Sequence, residues 1–327
     1  RYFSSAASDV YKRQALNCPI IFSPTCIGPE AEELKNNLKE GQTLLLENLR
    51  FHKGEETNNK DFSEDLTLGI DYFVNDAFSC SHRRHSSTVG VTNFLPSFMG
   101  THLEKEIKAL EGVLNNPNKP VAAIIGGSKV STKIDVINFL LKKMDIIIIG
   151  GAMANTFVSA KGLDVGKSLF EKECIDLAKE LIEKSQNNNC NLILPTDFIV
   201  SKKLKKHAEY TTANFDSLPH NMMALDIGPK SIELINKNIN NCKTILWNGP
   251  LGAFETYPFD KGTNKVASHV SSLTKQKKIL SVAGGGDTVS ALNNAKVLND
   301  FSYVSTAGGA FLEWLEGKVL PGIEPIS

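Results

Sequence analysis

Short apolar runs alternate with longer segments of helical spacing through most of the chain. The runs are Thr43 to Leu46, Tyr72 to Val74, Val121 to Ile125, Ile146 to Ile149, Leu192 to Leu194, Thr244 to Trp247, Ile279 to Val282 and Tyr303 to Ser305. Strand-length runs separated by helical patterns predict parallel sheets with crossover helices on both faces, an α/β fold. One helix stands apart: "THLEKEIKALEGVLNNP" places Leu103, Ile107, Leu110 and Leu114 on one face and stops before Pro117. It opens with the pattern Thr101-x-x-Glu104, which predicts a capping box. Segments on either side carry their own strand sets, so the helix reads either as a domain boundary or as an ordinary surface helix.

A chain of 327 residues suits two domains, and 41% hydrophobic with 22% charged residues is an ordinary globular composition. Thirty-six basic and 36 acidic residues cancel, which predicts neither a nucleic-acid footprint nor a polybasic membrane surface. The single basic cluster, Lys202-Lys203-Leu204-Lys205-Lys206-His207, reads as a solvated face. Cys18, Cys26, Cys80, Cys174, Cys190 and Cys242 include no C-x-x-C pair and no histidine at metal-ligand spacing. They predict free thiols in a reducing cytoplasm. The apolar runs are too short to cross a bilayer. Arg1 to Gln14, "RYFSSAASDVYKRQ", has neither an apolar signal core nor a periodic face; it resembles a cloning scar and is set aside from the fold.

Glycine marks five strand exits: Gly126-Gly127, Gly150-Gly151, "NGPLG" from Asn248, "GGGDT" from Gly284, and Gly308-Gly309. In an open α/β sheet, ligands bind outside the carboxyl ends of the strands, and a helix N-terminus there offers unpaired N–H donors to an anion. Lys129 and Lys133, four apart, read as opening a helix and sharing its face. Two ammonium groups beside glycine turns suit a polyphosphate. Asp287 among those turns would repel it unless a hard cation such as Mg2+ lay between. No G-x-x-x-x-G-K-[ST], no H-R-D or D-F-G set and no dinucleotide fingerprint occurs, which argues against the common nucleotide motifs and an NAD-dependent oxidoreductase.

The ordered segments "LLLENLRFHKGEE", "YFVNDAFSCSHRRHSS", "GGSKVSTKID", "WNGPLGAFE", "VAGGGDT" and "STAGGAFLEWLEGKVLPGI" together resemble phosphoglycerate kinase. The resemblance implies two Rossmann-like domains with parallel sheets joined by a hinge helix. The implied boundaries are an incomplete 3-phosphoglycerate domain at 15–100 completed by a tail at 315–327, a hinge at 101–116, and a nucleotide domain at 117–314. It implies reversible Mg2+-dependent phosphoryl transfer between ATP and 3-phosphoglycerate, giving ADP and 1,3-bisphosphoglycerate, in a cytoplasmic monomer that contacts no membrane or nucleic acid. Lys129 and Lys133 match the phosphate lysines, Lys133 following the transferred group. Asp287 matches the metal-binding acid, and Gly285, Gly286 and Thr288 the turn that holds the phosphate chain. Glu255 matches the ribose acceptor, Asn248 and Pro250 the cleft, Gly150 and Gly151 the adenine border, and Gly308 and Gly309 the helix start facing the phosphoryl group. Arg50, His82 and Arg83 match the positions that bind the triose phosphate and carboxylate.

Arg84, where the family more usually has a small residue, reads as surface charge, and Asn75 and Asp76 read as holding their loop. The family's opening strand, its Asp-x-Asn-x-Pro loop, the arginine that stabilises the moving phosphoryl group and a His-x-x-Arg pair find no counterpart in this sequence. The resulting expectation is an N-terminally truncated chain, with a nucleotide-binding fragment of little turnover as the alternative to an active kinase. An exposed apolar face in the first domain is expected with it.

Overall fold

The computed structural model describes residues 18–326. The reading of Arg1 to Gln14 as a scar lies outside the described residues. The chain divides into two compact units, the first ending at Glu104 and resuming at Val319, the second running from Lys105 to Lys318. The division falls inside the helix Thr101–Leu114, and Leu315 to Lys318, expected with the tail, stays in the second unit.

In the first unit, strands β1 (Ile20–Ser23) and β2 (Thr43–Leu46) pair in parallel, as do β3 (Phe73–Asn75) and β4 (Ser97–Met99). Its small core gathers Cys26, Phe62, Leu66 and Val91. Val74 lies opposite Phe98 across the β3–β4 pair, and Tyr72, Val74 and Phe98 are each more than half exposed, so an apolar face is open there. The tail is tied in by Asn75, whose Nδ2 donates to the Gly322 carbonyl at 2.9 Å and to Ser81 Oγ at 3.1 Å.

The second unit is built on β5 (Val121–Ile125), β6 (Ile146–Ile149), β7 (Asn191–Ile193), β11 (Thr244–Asn248), β12 (Leu280–Gly284) and β13 (Tyr303–Ser305). These form one six-stranded sheet in the order β13-β12-β11-β5-β6-β7, parallel throughout. Every residue of β5 and β11 is buried, as continuous apolar runs require when helices cover both faces. Ile124, Ile148, Ile245 and Trp247 anchor the main core. A second, antiparallel sheet of order β10-β8-β9 joins β8 (Asp197–Ser201), β9 (Thr211–Asn214) and β10 (Met223–Ile227). The alternation of strand and helix did not predict it, because β9 is mostly polar and exposed.

Aspartates close several helices from outside. The helix Thr101–Leu114 is capped by Asp76, whose Oδ1 accepts from the backbone N–H of His102 at 2.7 Å and Leu103 at 2.8 Å. The predicted Thr101 capping box is therefore corrected: the helix already includes Thr101, and Asp76 supplies the acceptor. Asp197, fully buried, likewise accepts from Lys230 N, Ser231 N and Ser231 Oγ at 3.0, 2.8 and 2.7 Å, closing the helix Pro229–Ile239. Replacing Asp197 with Ala strands these donors away from water. The expected loss of stability is about 2–4 kcal/mol, read by urea titration from Trp247 and Trp314, the chain's two tryptophans. Both lie in the second unit, and an unshifted transition would contradict the capping role.

Candidate functional site

All six strands of the main sheet run the same way, so the five glycine-marked exits share one edge. The glycines there divide into two kinds. A Cβ on Gly126 would come within 1.9 Å of the Pro250 carbonyl oxygen, and one on Gly249, at φ +101°, within 2.1 Å of the Gly126 oxygen. A Cβ on Gly150 would meet Leu251, and one on Gly151 the backbone of Gly127. The backbone N–H groups of Gly126, Gly150, Gly151 and Gly249 are also taken, by the carbonyls of Asn248, Ile125 and Leu251 and by the Thr288 hydroxyl respectively. These glycines let three strand exits pack against one another. Around Gly127, Gly286 and Gly308, by contrast, a Cβ would meet nothing within 4 Å, so backbone there is open to a ligand.

Two of those open positions begin helices. The helices Gly286–Asn294 and Gly308–Leu315 follow β12 and β13, and neither has a side-chain cap. The first N–H groups of each lack an intrahelical acceptor, and their dipoles favour negative charge. Asp287 sits exposed in the first turn of the former. Thr288 is 1% exposed and its hydroxyl accepts from Gly249 N at 2.7 Å. Its side chain therefore fixes the neighbouring loop and does not reach toward a ligand.

Lys133 and Asn248 are in direct contact: Lys133 Nζ donates to Asn248 Oδ1, and Asn248 Nδ2 donates to the Gly284 carbonyl at 2.8 Å. Asn248 thereby holds Lys133 to the end of β12. Burial pushes the Lys133 ammonium down to about 8, against the opposing pull of the Asp287 carboxylate. The helix after β5 begins at Ile134, with Lys133 at its N-cap, so the expectation that Lys129 and Lys133 share a helical face is corrected. Lys129 stands exposed in the loop before it. That loop is fastened by Glu171, which accepts from Ser131 N at 3.0 Å and from Ser131 Oγ. The anchor lies forty residues away in sequence, and no local pattern pointed to it.

Beside this edge lies a cavity of about 380 Å³, lined by Gly127, Gly151, Pro250, Leu251, Glu255 and Asp287, and by an apolar group that includes Leu169, Phe198, Leu204, Met223 and Leu225. Gly150 is buried and does not line it. The sequence reading also missed Asp226, which lines the cavity while 2% exposed. Its carboxylate accepts from Gly262 N at 2.6 Å and Ile227 N at 2.9 Å. Burial nevertheless holds its carboxyl well above the usual range. Gly252 and Gly262 leave room for it, since a Cβ on either would fall within 2.4 Å of Asp226 Oδ1. An apolar cavity next to two uncapped helix starts and an ammonium group can hold a ligand with an apolar end and an anionic end.

In the first unit, Arg50 lies in the turn Leu49–Phe51 after β2. His82 and Arg83 lie in the loop after β3, with Arg83 Nε donating to His82 Nε2 at 3.3 Å. That bond fixes Nε2 as an acceptor. His85 stands 3.6 Å from the buried Glu55, which also accepts from Ser87 N and Oγ at 3.0 and 2.6 Å, a structural network.

A family model described as phosphoglycerate kinase matches residues 5–318, a range that includes residues 5–14, most of the segment set aside as a scar. The chain is 50% identical to phosphoglycerate kinase of Rhizobium meliloti (strain 1021) and 51% identical to that of Brucella melitensis biotype 1. Both matches run over 311 residues, 95% of this chain and 78% of each relative. Among solved structures, phosphoglycerate kinase from Coxiella burnetii superposes with a TM-score of 0.90 at 40% identity, covering 99% of this chain and 80% of that one. The enzyme from Pyrococcus horikoshii OT3 gives 0.83 at 28% identity, covering 99% and 82%. Likeness to these kinases along 95% of the chain does not favour a binding module without turnover. The chain belongs to the phosphoglycerate kinase family, a family of phosphotransferases.

Proposed function

We propose that the chain catalyses reversible transfer of the ATP γ-phosphoryl group to the carboxylate of 3-phosphoglycerate, giving ADP and 1,3-bisphosphoglycerate. The single observation that carries this reading is the pairing of an apolar cavity with two uncapped helix starts and Lys133 on one sheet edge. The base and ribose occupy the cavity between Gly151, Pro250 and Glu255, with Gly150 packed against the lining residue Leu251. The phosphates run along Gly285, Gly286 and the N–H groups of the following turn, where Thr288 acts through its backbone, and Lys129 and Lys133 balance their charge. The open helix start at Gly308 and Gly309 faces the group in flight. Such donors stabilise charge spread over the equatorial oxygens of a phosphoryl group, and positioning does most of the remaining work.

Mg2+ fits this site as a ligand-borne ion. Among the described residues no group of three or more His, Cys, Asp or Glu could hold a metal. Mg2+ is commonly bound by one or two carboxylates together with substrate phosphates, and the exposed carboxylate of Asp287 suits that arrangement. When bound, the ion would screen that carboxylate from the phosphate oxygens. The triose binds through His82, Arg50 and Arg83, and the guanidinium of each arginine can pair two oxygens at once. The helix Thr101–Leu114 is the hinge in this reading. A cytoplasmic setting is supported by cysteines that are all free thiols among the described residues, and a monomer is carried over from the family resemblance.

The reading is tested by a coupled assay with ATP, Mg2+ and 3-phosphoglycerate. Turnover is expected. Lys133→Ala is expected to lower kcat by about 10²–10³, and Asp287→Asn to raise the Mg2+ concentration needed for half-maximal rate. Unchanged kinetics in both variants would overturn the assignment.

Lys133 also makes binding pH-dependent. Its ammonium is charged below about 8, so MgADP binds more tightly below that pH and more weakly above it. Calorimetry at pH 9 should find binding about tenfold weaker than well below pH 8, and Lys133→Arg, which stays charged, should remove the inflection. An affinity independent of pH would contradict a role for Lys133 in holding the anion.

A further inference from the structure

The basic cluster that the sequence assigned to a solvated face lies at the rim of the cavity. Lys202 to His207 form the connection between β8 and β9, and the four lysines are exposed. Leu204, in their midst and 53% exposed, lines the cavity. The loop is closed on itself by Ser201 Oγ, which donates to the Glu209 carbonyl at 2.7 Å and to the Lys203 carbonyl at 3.2 Å. It is fastened to the far wall by His207 N, which donates to the Tyr257 carbonyl at 3.1 Å, directly after the lining residues Glu255 and Thr256. Lys261 adds a further cation, lying 5.4 and 5.1 Å from the Tyr210 and Tyr257 ring centroids. Five lysines thus lie on the segments that border the cavity, against Glu209, Glu255 and Asp260 of the same segments and Asp287 and the buried Asp226 of the lining, in a chain whose total charge is zero.

We propose that the loop Lys202 to Lys206 is an electrostatic collar that steers the anionic nucleotide into the cavity. This inference rests on the proposed nucleotide site and adds a kinetic role to residues outside its contacts. The backbone bonds fix the loop, so its charges are held at the entrance while their side chains remain in solvent. Exposed charges of this kind act at a distance of about one Debye length, roughly 8 Å at physiological salt. They raise the rate of encounter and leave the lifetime of the complex to the groups that touch the ligand.

The test is stopped-flow association of MgADP with the full chain across a range of ionic strength. The loop variant carries Lys202→Gln, Lys203→Gln, Lys205→Gln and Lys206→Gln. A control removes the same charge at exposed positions outside the cavity lining, through Lys142→Gln, Lys237→Gln, Lys278→Gln and Lys296→Gln. The loop variant is expected to lose about tenfold in association rate at low salt, to show a flatter salt dependence and to keep its dissociation rate. The control should lose much less. Equal association rates in the two variants, or a loss confined to dissociation, would overturn the collar while leaving the nucleotide site standing. Failure of the unaltered chain to bind MgADP would instead remove the nucleotide assignment and the collar with it.

Discussion

Six parallel strands in one sheet impose the constraint on which the second unit depends. With every strand pointing the same way, the exits of β5, β6, β11, β12 and β13 meet on one edge, and a crowd of backbone must share that space. The glycines resolve the crowding in two ways. At Gly126, Gly150, Gly151 and Gly249 they let neighbouring loops touch, while at Gly127, Gly286 and Gly308 they leave backbone uncovered. Packing and binding are thus separate tasks carried out by the same residue type a few positions apart.

Helix starts are completed in more than one way, and some, such as Pro29–Asn36 and Ile175–Asn187, have no side-chain cap. Asp76 and Asp197 satisfy the first turns of their helices, and Asp226, in the cavity lining, satisfies Gly262 near the start of another. At the ends of β12 and β13 the corresponding groups have no side-chain partner. A helix start left unsatisfied costs stability unless solvent or a ligand completes it, and two side by side make a preorganised receptor for an anion. Asn248 completes the arrangement, since its amide holds Lys133 with one end and the close of β12 with the other.

Much of this was legible in the chain. Strands such as Ile146–Ile149 are buried on both faces and therefore appear as unbroken apolar runs, and their glycine exits follow directly. The small sheet was not legible, because Thr211–Asn214 is polar and exposed and gains its strand conformation from pairing with β8. The placement of Lys129 was misread for a related reason. Four-residue spacing suggested a helix, but the loop is held open by Glu171 from a distant segment, and the helix begins only at Ile134. Asp226 gave no local sign at all, since its burial depends on Gly252 and Gly262 from other elements. Residues whose roles come from local pattern were readable; those whose roles come from tertiary approach were not.

The most direct measurement of the central claim is a crystal structure of the chain grown with MgADP. The account predicts the base in the cavity against Gly151 and Pro250, phosphate oxygens within hydrogen-bond reach of the Gly286 turn and Lys133, and the metal ion beside Asp287. Nucleotide bound elsewhere, or phosphates turned away from the uncapped helix starts, would contradict it.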